Sequence, residues 1–237
     1  MGRLILPLKW PRPFAFPGGN PGFDPSHVAS QNIIYSAVAS GGGFVSLLTG
    51  APATKVGSPV PAITRVIGPN IVPPTAADYF TSPNTGPSGT PAEITMAGIF
   101  TCPDLTTRAI FTDGIASCDT LASFSGDFTY IIPGFDLRAG STVGIPTLVA
   151  NVPYFFAVSS KTGGNCNIVV RRLDTGQVWG GSQSTMGQSA PGTFGIGGST
   201  GLTTGGASVA TVQYSRKALS LQDLRQWAND PWSFWYQ

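Results

Sequence analysis

Glycine and proline punctuate this backbone from end to end, and that limits what the chain can build. The 237 residues include 31 glycines and 21 prolines, over a fifth of the total. A glycine inside a helix costs about 0.5–1 kcal/mol relative to alanine, and a proline removes a donor and breaks the helix. Short elements joined by turns are therefore expected. The runs between the breaks are rich in β-branched and aromatic residues. Strands are read at 32–39, 43–48, 63–67, 93–100, 108–112, 124–132, 147–149, 154–159, 167–172, 177–179, 193–197 and 207–215. Within 93–100, Ile94 and Met96 alternate onto one face. Many short strands separated by Gly, Pro, Asn and Ser predict an all-β, two-sheet antiparallel sandwich, and the lack of alternating helices disfavours a parallel sheet.

Charge adds exclusions. Charged residues are 10% of the chain, against roughly 25% in an ordinary soluble domain. The formal net charge is +2, hydrophobics are 41% and aromatics 11%. A chain of this length buries about 70–75% of its unfolded surface, so a globular protein is expected. No basic stripe suits nucleic acid, and no run of about 18 apolar residues suits a membrane span. Neither partner is predicted. The apolar run Leu4-Ile5-Leu6 ends at Pro7, too short for a secretion signal, and Met1-Gly2 lacks the following residues of a myristoylation site. Three cysteines, Cys102, Cys118 and Cys166, do not make a complete disulfide framework. Cys102 and Cys118 are read either as a hairpin pair or as buried free thiols. A reducing, bacterial-type cytoplasm fits this usage.

Residues 1–31 read as an extended arm and 32–237 as the folded domain. Pro7, Pro11, Pro13, Pro17, Pro21 and Pro25 fall at near-regular intervals, with Trp10, Phe14, Phe16 and Phe23 between them. Proline keeps such a stretch extended, and exposed rings are costly in water. These four aromatics are the predicted docking residues of the arm, in a groove on this domain or on a neighbour. Residues 68–92 are read as an ordered, loop-rich excursion and 181–192 as a polar loop. One helix is predicted. Ser220 is its N-cap with Asp223 three residues on, Leu221, Leu224 and Ala228 share a face that Trp227 widens, and Asp230-Pro231 ends it. The aromatic tail at 232–236 is expected to pack down.

The second half carries a recognisable order. Tyr154-Phe155-Phe156-Ala157-Val158-Ser159 leads to a Gly163-Gly164-Asn165 turn and to Asn167-Ile168-Val169-Val170-Arg171-Arg172. Then come Phe194-Gly195-Ile196-Gly197 and Tyr214-Ser215-Arg216-Lys217-Ala218-Leu219-Ser220 before the helix. Over roughly residues 93–232 this resembles the laminin-G/concanavalin-A-like jelly-roll family. The helix followed by Asp230-Pro231-Trp232 is similar to the close of such domains in bacteriophage and prophage virion proteins. The resemblance implies a jelly roll used for binding or assembly. The acidic pair that often precedes the last strand is replaced by Ala207-Ser208-Val209-Ala210, which leaves the family's calcium site in doubt.

Sandwiches of this family include glycoside hydrolases, which need two carboxylates about 5–10 Å apart. Glu93 is the only glutamate, and Asp104, Asp113 and Asp119 sit around turns, where aspartate usually accepts from local backbone. His27 is the only histidine, and zinc needs several ligands at set spacing. Gly197-Gly198-Ser199-Thr200-Gly201 matches the nucleophile-elbow pattern, but no helix follows it. No catalytic residue, metal ligand or cofactor is predicted. Calcium held by aspartates and carbonyls stays open, without an acidic spacing to support it. Adjacent Arg171 and Arg172 point to opposite strand faces, which is no phosphate clamp. Trp179, flanked by glycines, is the candidate for stacking a glycan, or else a strand residue of the core.

Two functions follow as expectations. The first is a non-enzymatic structural protein of a phage-like virion, a head decoration or a tail or fibre component. It would assemble in the host bacterial cytoplasm, attach through its arm to neighbouring virion proteins, and form a homo-oligomer, expected to be a trimer. The alternative is a carbohydrate-binding adhesin. That reading requires an exposed aromatic with flanking polar groups at the loop end of the sandwich.

Overall fold

The computed structural model describes residues 26–40, 42–64, 68–72, 75, 78–85, 89–114, 120–132, 135–138, 140, 144–184, 192–198 and 206–232. In chain order the strands are β1 (Ile33–Ser40), β2 (Gly43–Ser46), β3 (Thr54–Val56), β4 (Val60–Thr64), β5 (Gly68–Val72), β6 (Tyr79–Thr85), β7 (Glu93–Thr101) and β8 (Arg108–Thr112). They continue as β9 (Thr120–Phe124), β10 (Asp127–Ile132), β11 (Phe135–Arg138), β12 (Pro153–Lys161), β13 (Asn165–Arg172), β14 (Val178–Ser184), β15 (Thr193–Ile196) and β16 (Ser208–Ser215). The helix α1 (Leu221–Asn229) follows β16.

The strands form two antiparallel sheets, as an all-β sandwich requires. One runs β14-β13-β12-β7-β16-β1-β2, with the β4–β5 hairpin joined to β16. The other runs β11-β10-β9-β8-β15-β6-β3. Between them lies an aromatic core. Phe128 meets Tyr154 at 5.0 Å and Phe156 at 5.6 Å, both edge to face.

The central strands of the first sheet are buried on both sides, which explains their unbroken apolar runs. Tyr154, Phe156 and Val158 of β12 face the inner core, while Phe155 and Ala157 join an outer cluster with Val169, Leu224, Trp227 and Ala228. The outer cover is α1 with the 3-10 turn at Val28–Ser30. Trp227 is fully buried, its ring 5.1 Å from that of Phe155. The helix begins where the sequence places it. Asp223 N–H donates to Ser220 Oγ, and Ser220 N–H donates to the Asp223 carboxylate, both at 3.1 Å.

Some elements depart from the sequence reading. Two strands occupy the expected 68–92 excursion. β5 carries a proline, Pro69, and pairs with β4 along its length and with β16 at Ile71. Pro83 falls where the β6–β15 register shifts. The run read as one strand at 124–132 is the end of β9, a turn and β10, within a hairpin that spans 120–132. Ser125 and Gly126 both take positive φ, 52° and 81°, and turn β9 into β10. The strand read at 147–149 lies in neither ladder. Its amides go instead to Gly126 and Tyr154. Of the polar loop read at 181–192, residues 181–184 belong to β14, and 185–191 lie outside the described residues.

Candidate functional site

A cleft of about 370 Å³ opens at one end of the sandwich, lined by Pro146, Thr147, Val149, Tyr154, Arg172, Gln177 and Trp179. That lies in the lower part of the roughly 300–1,000 Å³ range of small-molecule sites. Strand register explains the gathering. On β13, Val170 faces the inner core, so Arg172, two residues on, points the same way. Tyr154 of β12 is paired with Arg172, and Trp179 of β14 is paired with Val170. Trp179 is half-buried. It packs against the inner core and also lines the cleft.

The opposite wall is the segment 144–152, which hydrogen bonds fix in place. Leu148 N–H donates to Gly126 O at 2.7 Å, and Asn151 N–H donates to Cys102 O at 2.7 Å. Asn151 takes a φ of 61°, a left-handed conformation that asparagine tolerates better than most residues. The buried Tyr154 hydroxyl accepts from Val149 N–H at 3.0 Å. Burial raises the Tyr154 phenol above its ordinary value, so it stays protonated. Pro146, Thr147 and Val149 are exposed along the rim, Val149 at 45%.

The polar side of the cleft comes from the β13–β14 turn. Arg172 Nε and Nη2 donate to the two carboxylate oxygens of Asp174, at 2.7 and 2.9 Å. That fork is the main reason the Asp174 carboxyl lies below its ordinary range. Gln177 follows, its amide exposed. Gly180, next to Trp179, has no room for a side chain. A Cβ there would stand 2.7 Å from Ile168 O and 2.9 Å from Val169 Cγ2. The glycine after Trp179 therefore lets β14 lie close on β13.

The two arginines do face opposite ways. Arg171 turns to the outer side, where Nη1 donates to Ala228 O at 2.6 Å and to Asn229 O, the closing carbonyls of α1. It serves as a helix C-cap rather than a solvated surface residue.

Other candidate groups are engaged elsewhere. Asp104 binds Arg108 at 2.6 Å and accepts from Thr106 N–H. Glu93 bridges Lys161 at 3.1 Å and accepts from Ala218 N–H. His27 Nδ1 accepts from Ala29 N–H, and its ring lies 5.8 Å from Trp227. Cys102 is a buried thiol donating to Ser123 Oγ, and burial pushes it up to about 12. Trp10, Phe14, Phe16, Phe23, Cys118, Asp119 and Ser199 lie outside the described residues. Among the described residues no group of three or more His, Cys, Asp or Glu is placed to hold a metal ion, and no helix is long and apolar enough to cross a membrane.

Of the cleft residues, the sequence offers Trp179 as a binding residue and sets Arg172 aside as no phosphate clamp. The Asp174-Thr175-Gly176 turn signal could have pointed to Arg172 and Gln177 as its flanks. Nothing local marks the 144–152 wall, which long-range hydrogen bonds hold.

No protein-family profile and no curated protein sequence matches the chain. Solved structures do. The receptor-binding domain of botulinum neurotoxin D aligns with 84% of this chain and 53% of its own, at a TM-score of 0.57 and 14% identity. The binding domain of Paraclostridial Mosquitocidal Protein 1 aligns with 86% and 55%, at 0.58 and 9%. Trypanosoma rangeli sialidase, in complex with sialic acid, aligns with 84% and 33%, at 0.56 and 13%. This chain spans about half or less of the length of these structures, and at such identities the likeness establishes a jelly-roll-like β-sandwich.

Proposed function

We propose that this chain is a non-enzymatic binding module of a phage-like virion, attached by its N-terminal arm and presenting the Trp179 cleft to a carbohydrate. The observation that carries the binding half is the cleft itself. A half-buried tryptophan stands at the loop end of the sandwich with Arg172, Gln177 and Thr147 beside it. An indole face suits the C–H face of a sugar ring, and nearby donors and acceptors suit its hydroxyls. Two of the structurally similar proteins are themselves described as binding domains, one of them receptor-binding.

The virion half rests on the resemblance of the closing segment, from Tyr214 through α1 to Pro231 and Trp232, and on the Pro- and aromatic-rich arm. A purely architectural role is the second reading, and the arm favours it. An ordered segment lying in a neighbour's groove repays its ordering cost by buried area. A glycan array with the full chain tests the first reading, and silence on neutral and charged glycans alike removes it. Deleting residues 1–25 tests attachment. Light scattering after size-exclusion chromatography is expected to show the oligomer, read as a trimer, fall to a folded monomer. An unchanged oligomer counts against the arm.

A further inference from the structure

We infer that the Trp179 cleft selects uncharged pyranosides and discriminates against sugars that carry a carboxylate. This rests on the carbohydrate reading above and names the ligand class for the same site.

Among the described residues lining the cleft, Arg172 is the only charged one. A lone arginine would recruit a carboxylate in a two-point fork. Here that fork is already occupied. Asp174 takes both Nε and Nη2, so the charge arrives with its own counter-ion. A sugar carboxylate would have to displace Asp174 from Arg172 or approach it as a like charge, and either route costs binding. Nη1 lies outside the Asp174 fork and remains a donor to a neutral oxygen. Together with the Gln177 amide and the Thr147 hydroxyl it gives a set matched to sugar hydroxyls. Trp179 and the Val149 side chain supply the apolar surface. The two halves of the cleft therefore fit one face of an uncharged ring and its hydroxyl edge.

The test uses matched ligands that differ only at C6. Methyl glucosides and galactosides are compared with the corresponding methyl uronides on the full-length protein. The readouts are saturation-transfer NMR and the indole N–H cross-peak of Trp179, assigned with Trp179→Phe. Neutral glycosides should move that peak, with the uronides weaker by about 10-fold. Asp174→Asn frees the guanidinium and should narrow or reverse the preference. If a uronide binds the unaltered protein as well as its glycoside or better, the charge argument is overturned while the carbohydrate reading stands. If no saccharide of either kind moves the Trp179 peak, both fall. The comparison on the unaltered chain decides this even where Asp174→Asn fails to fold.

Discussion

Strands β13 and β14 carry nearly the same chemistry on their two faces, and the outcomes are opposite. Each face presents one of the two adjacent β13 arginines with a tryptophan nearby. On the outer face Arg171 completes the C-terminus of α1 and Trp227 is sealed beneath that helix. On the inner face Arg172 and Trp179 line an open cleft. The difference lies in what covers each side. A helix laid along the outer face brings unpaired carbonyls that consume a cation's donors. The inner face runs out to the 144–152 wall, where the Leu148, Val149 and Asn151 amides are taken by Gly126, Tyr154 and Cys102. Donors near it are left for something else. A residue's type sets what it can do, while the element packed over it decides whether that capacity is used internally.

The largest expected contrast is between the tryptophans. Trp227→Ala removes a fully buried indole and should cost about 3–5 kcal/mol in urea unfolding. Trp179→Ala should cost about 1–2 kcal/mol, because only part of its surface is removed from water. Equal losses would mean that Trp179 is ordinary core and would break the contrast.

The arginines come next. Arg171→Met leaves two helix-end carbonyls without their charged donor and should cost about 1.5–3 kcal/mol. Arg172→Met breaks a surface-accessible ion pair that solvent screens, so stability should hardly change. Thermal unfolding of the two single variants reads the difference directly. At the wall an effect between those two is expected. Tyr154→Phe removes the acceptor of Val149 N–H for about 1 kcal/mol, and hydrogen exchange at that amide should speed up while β12 amides stay protected.

How far the sequence foretold this follows the same division. Local chemistry was legible. The Ser220–Asp223 capping box, the β8 limits and the alternation in β7 are written in neighbouring residues. The 3.6-residue stripe found the helix because its burial repeats along one face. What depends on remote partners was not legible. Pro83 hides β6 because its cost is absorbed by a register shift against β15, more than a hundred residues away. The 147–149 run has strand composition, yet its partners are Gly126 and Tyr154 rather than a ladder. Trp179 stands out by the Gly180-Gly181 pair that follows it, but Arg172, Gln177 and the wall need the fold to bring them together.

The smallest expected effect concerns acid, and it probes the open side alone. The Arg172 fork holds the Asp174 carboxyl below its ordinary value near pH 3.9. A depressed folded-state value means the pair contributes stability above the ordinary value and loses it only as pH falls through the depressed one. The pair is exposed enough for solvent to screen it, so the stability change should be slight. Its consequence for the cleft is larger than for the fold, because protonating Asp174 leaves Arg172 uncompensated. From pH 7 down to about 5 the cleft should keep its compensated charge, and the glycoside-to-uronide affinity ratio should stay flat. In Asp174→Asn the ratio should already be low at pH 7. A ratio that fell between pH 7 and 5 in the unaltered chain would mean that Asp174 titrates there, and the difference between the two arginines would then be one of solvent rather than of partners.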